Sequence, residues 1–301
     1  MSESSSAPSA LDLALSSAAS TVEAALDRYL PPASGPASRL GEAVRHSLGG
    51  GKFVRPMLVR MAAETFGLPP EAVTPAACAF ELLHTATLVH DDLPAIDDAD
   101  LRRGRPSAHA AFDEPTAILA GDAMIVAAFA AMADQARVPV TPPARVMPVV
   151  AEFALATQAV IAGELVDILS EKAPPDADLL VFIHTHKTAS LIRAAVRAGA
   201  MLAGASAGGL AAATAYGESV GLLFQVTDDL LDVTGDVEAL GKPAGLDAAA
   251  GKLTYPGVFG YDGAVTRANE LAEAARAAVT KLPSPSDLWL ALIDLILTRR
   301  T

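Results

Sequence analysis

The chain has 301 residues, 51% of them hydrophobic, and a net charge of -13. That length and apolar content suffice for a large buried core, and the acidic balance argues against general nucleic-acid binding, which needs Lys and Arg to neutralise phosphates. The same balance repels an anionic small substrate unless cations and metal ions are concentrated at one site.

The first ten residues, MSESSSAPSA, are polar and carry neither a basic residue nor an apolar run. They read as a flexible lead-in over residues 1–8 and not as a signal peptide. From about residue 9 onward, apolar positions recur at three- and four-residue intervals in segments of roughly 15–30 residues. Alanine and leucine outweigh β-branched and aromatic residues, which favours helix. The segments are punctuated by PPASGP (31–36), GGG (49–51), residues 67–70, the 93–106 region, VPVTPP (138–143), KAPPDAD (172–178), GASAGG (204–209), the 235–251 region and LPSPSD (282–287). Pro56, Pro75 and Pro115 fall where a first helical turn would begin, where a missing N–H costs little. Neither an alternating strand nor a fixed-period repeat is evident. The expectation is a single all-α domain over residues 1–301, a bundle of about ten helices.

GGKFVRP (50–56) sets Lys52 and Arg55 beside a helix N-terminus, a natural anion site. Cys78 is the one cysteine and lies in an apolar segment, so it reads as a buried structural thiol. His84 sits seven residues before Asp91, two turns back on nearly the same face; alone, it would read as an ordinary core histidine.

Residues 90–104 read HDDLPAIDDADLRRG, with five aspartates between Asp91 and Asp100 followed by Arg102, Arg103 and Arg105. Pro94 removes a backbone donor and disfavours helical geometry at Leu93. On an unbroken helix Asp97 would point roughly 120° away from Asp91. Both reach one metal only if the chain turns after Asp92, so the helix is expected to end near Leu93 and the loop to swing Asp97 back.

HTHKT (184–188) is a polar knot inside an apolar helix. Residues 198–217 carry no charge, but they are mostly Ala and Gly with a turn at GASAGG, unlike a membrane span. A second cluster, Gln225-Val-Thr-Asp228-Asp229-Leu-Leu-Asp232, puts Asp228 and Asp232 on one helix face. Carboxylates at that spacing repel unless a cation lies between them, and oxygen-only ligands suit Mg²⁺. One acidic run alone would read as a solvated face. Two runs of similar form, each ending an apolar helix, favour metal. Lys242 and Lys252 follow in a Gly-rich stretch.

These residues resemble the trans-isoprenyl diphosphate synthases, especially the bacterial farnesyl and geranylgeranyl diphosphate synthases. The likeness runs through GGKFVRP, ELLHTATLVHDDLPAIDDADLRRGRPSAH, AILAGDA, IAGELVDI, HTHKTASLIRAAVRAGA, FQVTDDLLDVTGD, LGKPAGLD and GKLTYP. It implies an all-α isoprenoid synthase fold around a central cavity, a cytoplasmic homodimer that is not a membrane protein and binds no nucleic acid, and head-to-tail condensation of isopentenyl diphosphate with dimethylallyl, geranyl or farnesyl diphosphate. It implies Mg²⁺, three ions with substrate bound, on Asp91, Asp97 and Asp228, with Asp92 and Asp232 supporting them. Arg102, Lys187 and Lys242 would contact the allylic diphosphate. Gly51, Lys52, Arg55, His84 and Arg103 would hold isopentenyl diphosphate. Thr188 and Gln225 would lie near the allylic cation, and with Lys187 they are the catalytic candidates. The departing diphosphate is the expected base.

Product length depends on how far the tail can grow away from the aspartates. Ala86 and Thr87, five and four residues before Asp91, are small and would let it pass. Family members that stop at C15 often carry an aromatic residue at the five-before position. Phe80, about 16 Å back along the helix, is either a floor permitting about C20 or an ordinary core phenylalanine. Geranylgeranyl diphosphate is therefore the expected main product, with farnesyl diphosphate as the alternative. A terpene cyclase has no need of the second diphosphate site, a non-catalytic partner subunit would be expected to have lost ligands, and no EF-hand spacing supports a calcium protein.

Overall fold

Ser9 opens the first helix with a reciprocal cap: its Oγ accepts from Asp12 N–H at 3.1 Å, while the Asp12 carboxylate accepts from Ser9 N–H at 3.0 Å. The computed structural model describes residues 8–234, 251–284 and 286–299. In chain order the helices are α1 (Ala10–Leu26), α2 (Ser38–Leu48), α3 (Val54–Thr65), α4 (Thr74–Asp91), α5 (Ala108–Ala111), α6 (Glu114–Asp134), α7 (Pro143–Leu169), α8 (Ala177–Ile183), α9 (Ser190–Ala203), α10 (Ala207–Thr234), α11 (Tyr255–Phe259), α12 (Tyr261–Val279) and α13 (Asp287–Thr298). The expected all-α architecture is present. One departure is a small hairpin between α4 and α5, in which β1 (Leu101–Arg102) pairs antiparallel with β2 (Arg105–Pro106). Arg103 and Gly104 supply the positive φ angles, 53° and 72°, that so tight a turn needs.

One apolar core runs from α1 to α13. α4 packs on α6, α3 on α9, α9 on α10 and α10 on α12. The last helix is fixed by Trp289, whose indole N–H donates to Thr65 Oγ at 3.0 Å and whose carbonyl accepts from Tyr216 OH at 2.9 Å. Cys78 is fully buried, and burial pushes its thiol up to about 12, which suits a structural role. The uncharged stretch 198–217 is the end of α9 and the start of α10, broken by Gly204 at φ 81°.

Three other helical stretches, residues 70–91, 114–137 and 143–169, are long and apolar enough to cross a membrane by length and composition. The first is mostly buried, whereas α6 and α7 leave Ile118, Leu119, Val126, Met147 and Leu155 exposed.

The α8–α9 segment is held open by a π-helical turn over His184–Ala189, a geometry common at functional sites. Neighbouring helices approach it at glycines. A Cβ on Gly163 of α7 would run into the Lys187 backbone nitrogen, and one on Gly221 of α10 would come within 2.6 Å of Ala189 Cα. This close approach presents Lys187 and Thr188 to α7 and α10.

Candidate functional site

α4 ends at Asp91, and the chain then turns back on itself. Asp97 N–H donates to Asp91 O at 2.9 Å, and Asp98 takes φ 48° to complete the turn. The loop therefore returns Asp97 to Asp91, as the Pro94 break predicts. Asp92 points elsewhere: it is buried, and Arg102 grips it, with Nε donating to Oδ1 at 2.9 Å. Burial raises the Asp92 carboxyl, against the pull of Arg102. Asp92 thus anchors the hairpin that carries Arg102 and Arg103.

Asp91 sits among negative charge. Burial raises its carboxyl to about 7, and Glu164 and then Asp97 add to the shift while Lys187 opposes it. Lys187 Nζ lies 2.6 Å from Asp167 Oδ2 and 2.7 Å from Glu164 Oε2. Burial works to lower the Lys187 ammonium, but these carboxylates outweigh it and hold it above its ordinary value. Lys252 Nζ donates to Asp97 Oδ1 at 2.9 Å, tying the first aspartate cluster to the stretch before α11.

In the second cluster Asp228 faces Arg299, 2.6 Å away, while Asp229 and Asp232 are buried. Gln225 lies between the motif and the π-turn: its Nε2 donates to Asp229 Oδ1 at 3.0 Å, and its Oε1 accepts from Thr188 Oγ at 2.7 Å. Lys242 lies outside the described residues.

Two cavities flank these groups. The first is cationic, about 430 Å³, and lined by Lys52, Arg55, His84, Arg103, Arg299 and Glu81 among others. It gathers Lys52, Arg55, His84 and Arg103, the four side chains that the family resemblance groups around isopentenyl diphosphate. A Cβ on Gly51 would come within 3.0 Å of Arg103 Nη1, so this glycine lets the loop close on the same cations. Burial brings Arg55 down to about 10, and burial with the adjoining arginines holds His84 well below its usual range, hence neutral. Buried Arg55 Nε, Arg299 Nε and Glu81 Oε1 have no hydrogen-bond partner. Crowded cations with unspent donors fit a polyanion.

The second cavity is apolar, about 400 Å³, and descends from Asp91 and Glu164 past Thr87, Ile161 and Val160 to Leu83, Ile125 and Thr157. One helical turn deeper, each of the three helices carries a phenylalanine: Phe80, Phe129 and Phe153. Phe153 lies edge-on to Phe80 at 5.0 Å and to Phe129 at 5.2 Å between ring centroids. Thr87 lines the wall, as its position predicts. Ala86 is fully buried and is not part of the wall, so its small size bears on the cavity only indirectly.

Among the described residues no group of three His, Cys, Asp or Glu side chains is gathered to cage an ion. Mg²⁺ does not require such a cage, since it commonly takes one or two carboxylates and shares the rest of its shell with water and phosphate. The oxygen donors on Asp91, Asp97 and Asp228 fit that demand, and the excess negative charge around Asp91 is what a divalent cation would relieve.

Sequence reasoning missed Glu164, Asp167, Glu81 and Arg299. Glu164 and Asp167 had a signal, being carboxylates three apart on one helical face opposite HTHKT. Arg299 had none, because only the docking of α13 brings it to Asp228.

The family model described as Polyprenyl synthetase matches residues 37–283. Over 287 residues the chain is 42% identical to geranylgeranyl pyrophosphate synthase 9, chloroplastic, of Arabidopsis thaliana, covering 93% of this chain and 79% of that protein. It is 37% identical to the geranylgeranyl diphosphate synthase of Cyanophora paradoxa over 92% of this chain and 93% of that one. The crystal structure of geranylgeranyl pyrophosphate synthetase from Pyrococcus horikoshii superposes with a TM-score of 0.87 at 28% identity, covering 96% of this chain and 98% of that chain.

Proposed function

Because the chain belongs to the polyprenyl synthetase family, we infer that it is a trans-isoprenyl diphosphate synthase, a prenyltransferase that condenses isopentenyl diphosphate head-to-tail with allylic diphosphates and makes geranylgeranyl diphosphate as its main product. The observation that carries this reading is Asp91. It stands among carboxylates at the mouth of a deep apolar cavity, where a metal-bound diphosphate head can meet the opening for a hydrocarbon tail.

Asp91, Asp97 and Asp228 would hold Mg²⁺, three ions with substrate bound, with Asp232 behind them. When bound, the metal neutralises the leaving diphosphate as a Lewis acid. Lys187 and Arg102 would hold the allylic diphosphate on its other sides, and the family resemblance adds Lys242 as a further contact. Lys187 is suited to this because Glu164 and Asp167 keep it charged. The role of Asp92 is to hold Arg102 in place. Lys52, Arg55 and Arg103, with neutral His84 and the backbone at Gly51, hold isopentenyl diphosphate in the cationic cavity.

Ionisation of the allylic C–O bond leaves a carbocation that needs fixed dipoles and a dry wall. The Thr188 hydroxyl and Gln225 amide supply the dipoles. The isopentenyl double bond attacks, and the departing diphosphate takes the proton, so the chain needs no dedicated base.

The tail grows down the apolar cavity past Thr87 until it meets the Phe80–Phe153–Phe129 floor. That floor lies about 16 Å along α4 from Asp91 and suits a C20 product better than the C15 alternative. Pairing of two copies through the exposed apolar faces of α6 and α7 would cover the surface that these helices leave open, which supports a homodimer. Incubation with isopentenyl diphosphate and an allylic primer, followed by product mass, tests the reading.

A further inference from the structure

Two residue pairs face each other where the π-turn meets α10. His184 and Thr188 stand four apart on the turn, and Gln225 and Asp229 stand four apart on α10. His184 Nε2 lies 3.3 Å from Asp229 Oδ2, and Thr188 Oγ donates to Gln225 Oε1 at 2.7 Å. Gln225 Nε2 donates to Asp229 Oδ1 at 3.0 Å, which links the two cross-connections. Tyr255 N–H donates to Asp229 Oδ2 at 2.8 Å, and His184 and Asp229 are both buried.

Asp229 Oδ1 takes the Gln225 NH₂ group as its donor, and this contact sets which end of the amide turns toward α10's next turn. The amide oxygen is then left facing Thr188. Asp229 Oδ2 in turn accepts from the Tyr255 backbone N–H and lies 3.3 Å from His184 Nε2, two neighbours that restrain the carboxylate. We propose that His184 and Asp229 are positioning residues that fix the Gln225 amide with its oxygen turned toward the reaction side. This rests on the reading of Thr188 and Gln225 as the dipoles beside the allylic cation. A reversed amide would present N–H groups, the positive end of the dipole, to a developing positive charge.

The test is steady-state kinetics of the full chain at saturating Mg²⁺ for wild type, Asp229→Asn, His184→Leu and His184→Gln, with thermal unfolding of each. In Asp229→Asn the new side-chain amide can donate as well as accept, so it no longer dictates how Gln225 turns. Asp229→Asn and His184→Leu should each lower kcat by about ten- to a hundredfold, with KM for both diphosphates and the Mg²⁺ requirement within about twofold. His184→Gln, whose amide N–H can replace Nε2–H, should restore most of the rate. Should His184→Leu fail to fold, Asp229→Asn and His184→Gln decide between them. The assignment is overturned if Asp229→Asn keeps wild-type kcat, if KM or the Mg²⁺ requirement rises along with the loss, or if His184→Gln is as slow as Asp229→Asn. A wild-type chain that condenses no substrate would instead overturn the underlying reading.

Discussion

The backbone N–H of Asp97 donates to the backbone carbonyl of Asp91 at 2.9 Å, so two aspartates six residues apart lie at one helix end. Pro94 makes this possible by ending the helical run, and Asp98 completes the reversal in a left-handed conformation. The result concentrates negative charge beside the Lys187 ammonium and the mouth of the apolar cavity, and most consequences of the structure follow from that placement.

Asp91 should cost stability at neutral pH when no divalent cation is present. Its carboxyl is raised from 3.8 to about 7 in the fold, so the folded state holds the proton more tightly than the unfolded state. The associated stability is full below the unfolded value and is lost as pH rises through about 7. In chelator at pH 8, Asp91→Asn should therefore unfold later than wild type, by of order one to a few kcal/mol. The gain should shrink toward zero near pH 4 and narrow when Mg²⁺ is added. Equal unfolding midpoints at pH 8 would show that Asp91 carries no such burden.

Cavity depth should set product length from both ends. Thr87→Phe puts a ring into the wall one turn below Asp91 and should shift the main product from C20 to C15. Phe153→Leu removes the ring that both Phe80 and Phe129 abut, and should raise the share of products longer than C20 by about tenfold or more. Product mass spectrometry reads both. An unchanged C20 distribution in both variants would rule out this cavity as the ruler.

Gly163→Ala should damage the π-turn more than a surface alanine would. Its Cβ has no room against the Lys187 backbone, and overpacking of this kind costs about 1–3 kcal/mol. Calorimetry should show a lowered Tm, and kcat should fall as Lys187 is displaced. A variant with wild-type Tm and kcat would mean that the helices separate freely there.

The exposed faces of α6 and α7 should hold two copies together. Val126, on α6, is 70% exposed, and Leu155, on α7, is 66% exposed. Introducing charge with Val126→Asp and Leu155→Asp should convert a dimer to a monomer in light scattering. A wild-type chain that is already monomeric at micromolar concentration would remove this expectation.

The helical architecture was legible because apolar spacing and the Gly/Pro punctuation agree along the chain. The return of Asp97 was legible because one proline and the helical angle leave few alternatives. The grouping of Lys52, Arg55, His84 and Arg103 in one cavity came from the family resemblance and not from spacing, since these residues lie on three separate segments. The hairpin at Arg102–Arg105 was missed because two-residue strands carry no periodic signal. Ala86 is buried off the cavity lining because counting back from Asp91 gives height along α4 but says little about the direction the side chain faces. Arg299 depends on how α13 docks, which local pattern does not encode, whereas Glu164 and Asp167 carried a signal in their three-residue spacing on one face of α7.

The most direct measurement is incubation of the chain with isopentenyl diphosphate and each of the C5, C10 and C15 allylic diphosphates, with and without Mg²⁺, followed by mass spectrometry. Mg²⁺-dependent elongation of all three primers, converging on C20, is the expected result. No condensation with any primer, or a cyclised hydrocarbon in place of a prenyl diphosphate, would contradict it.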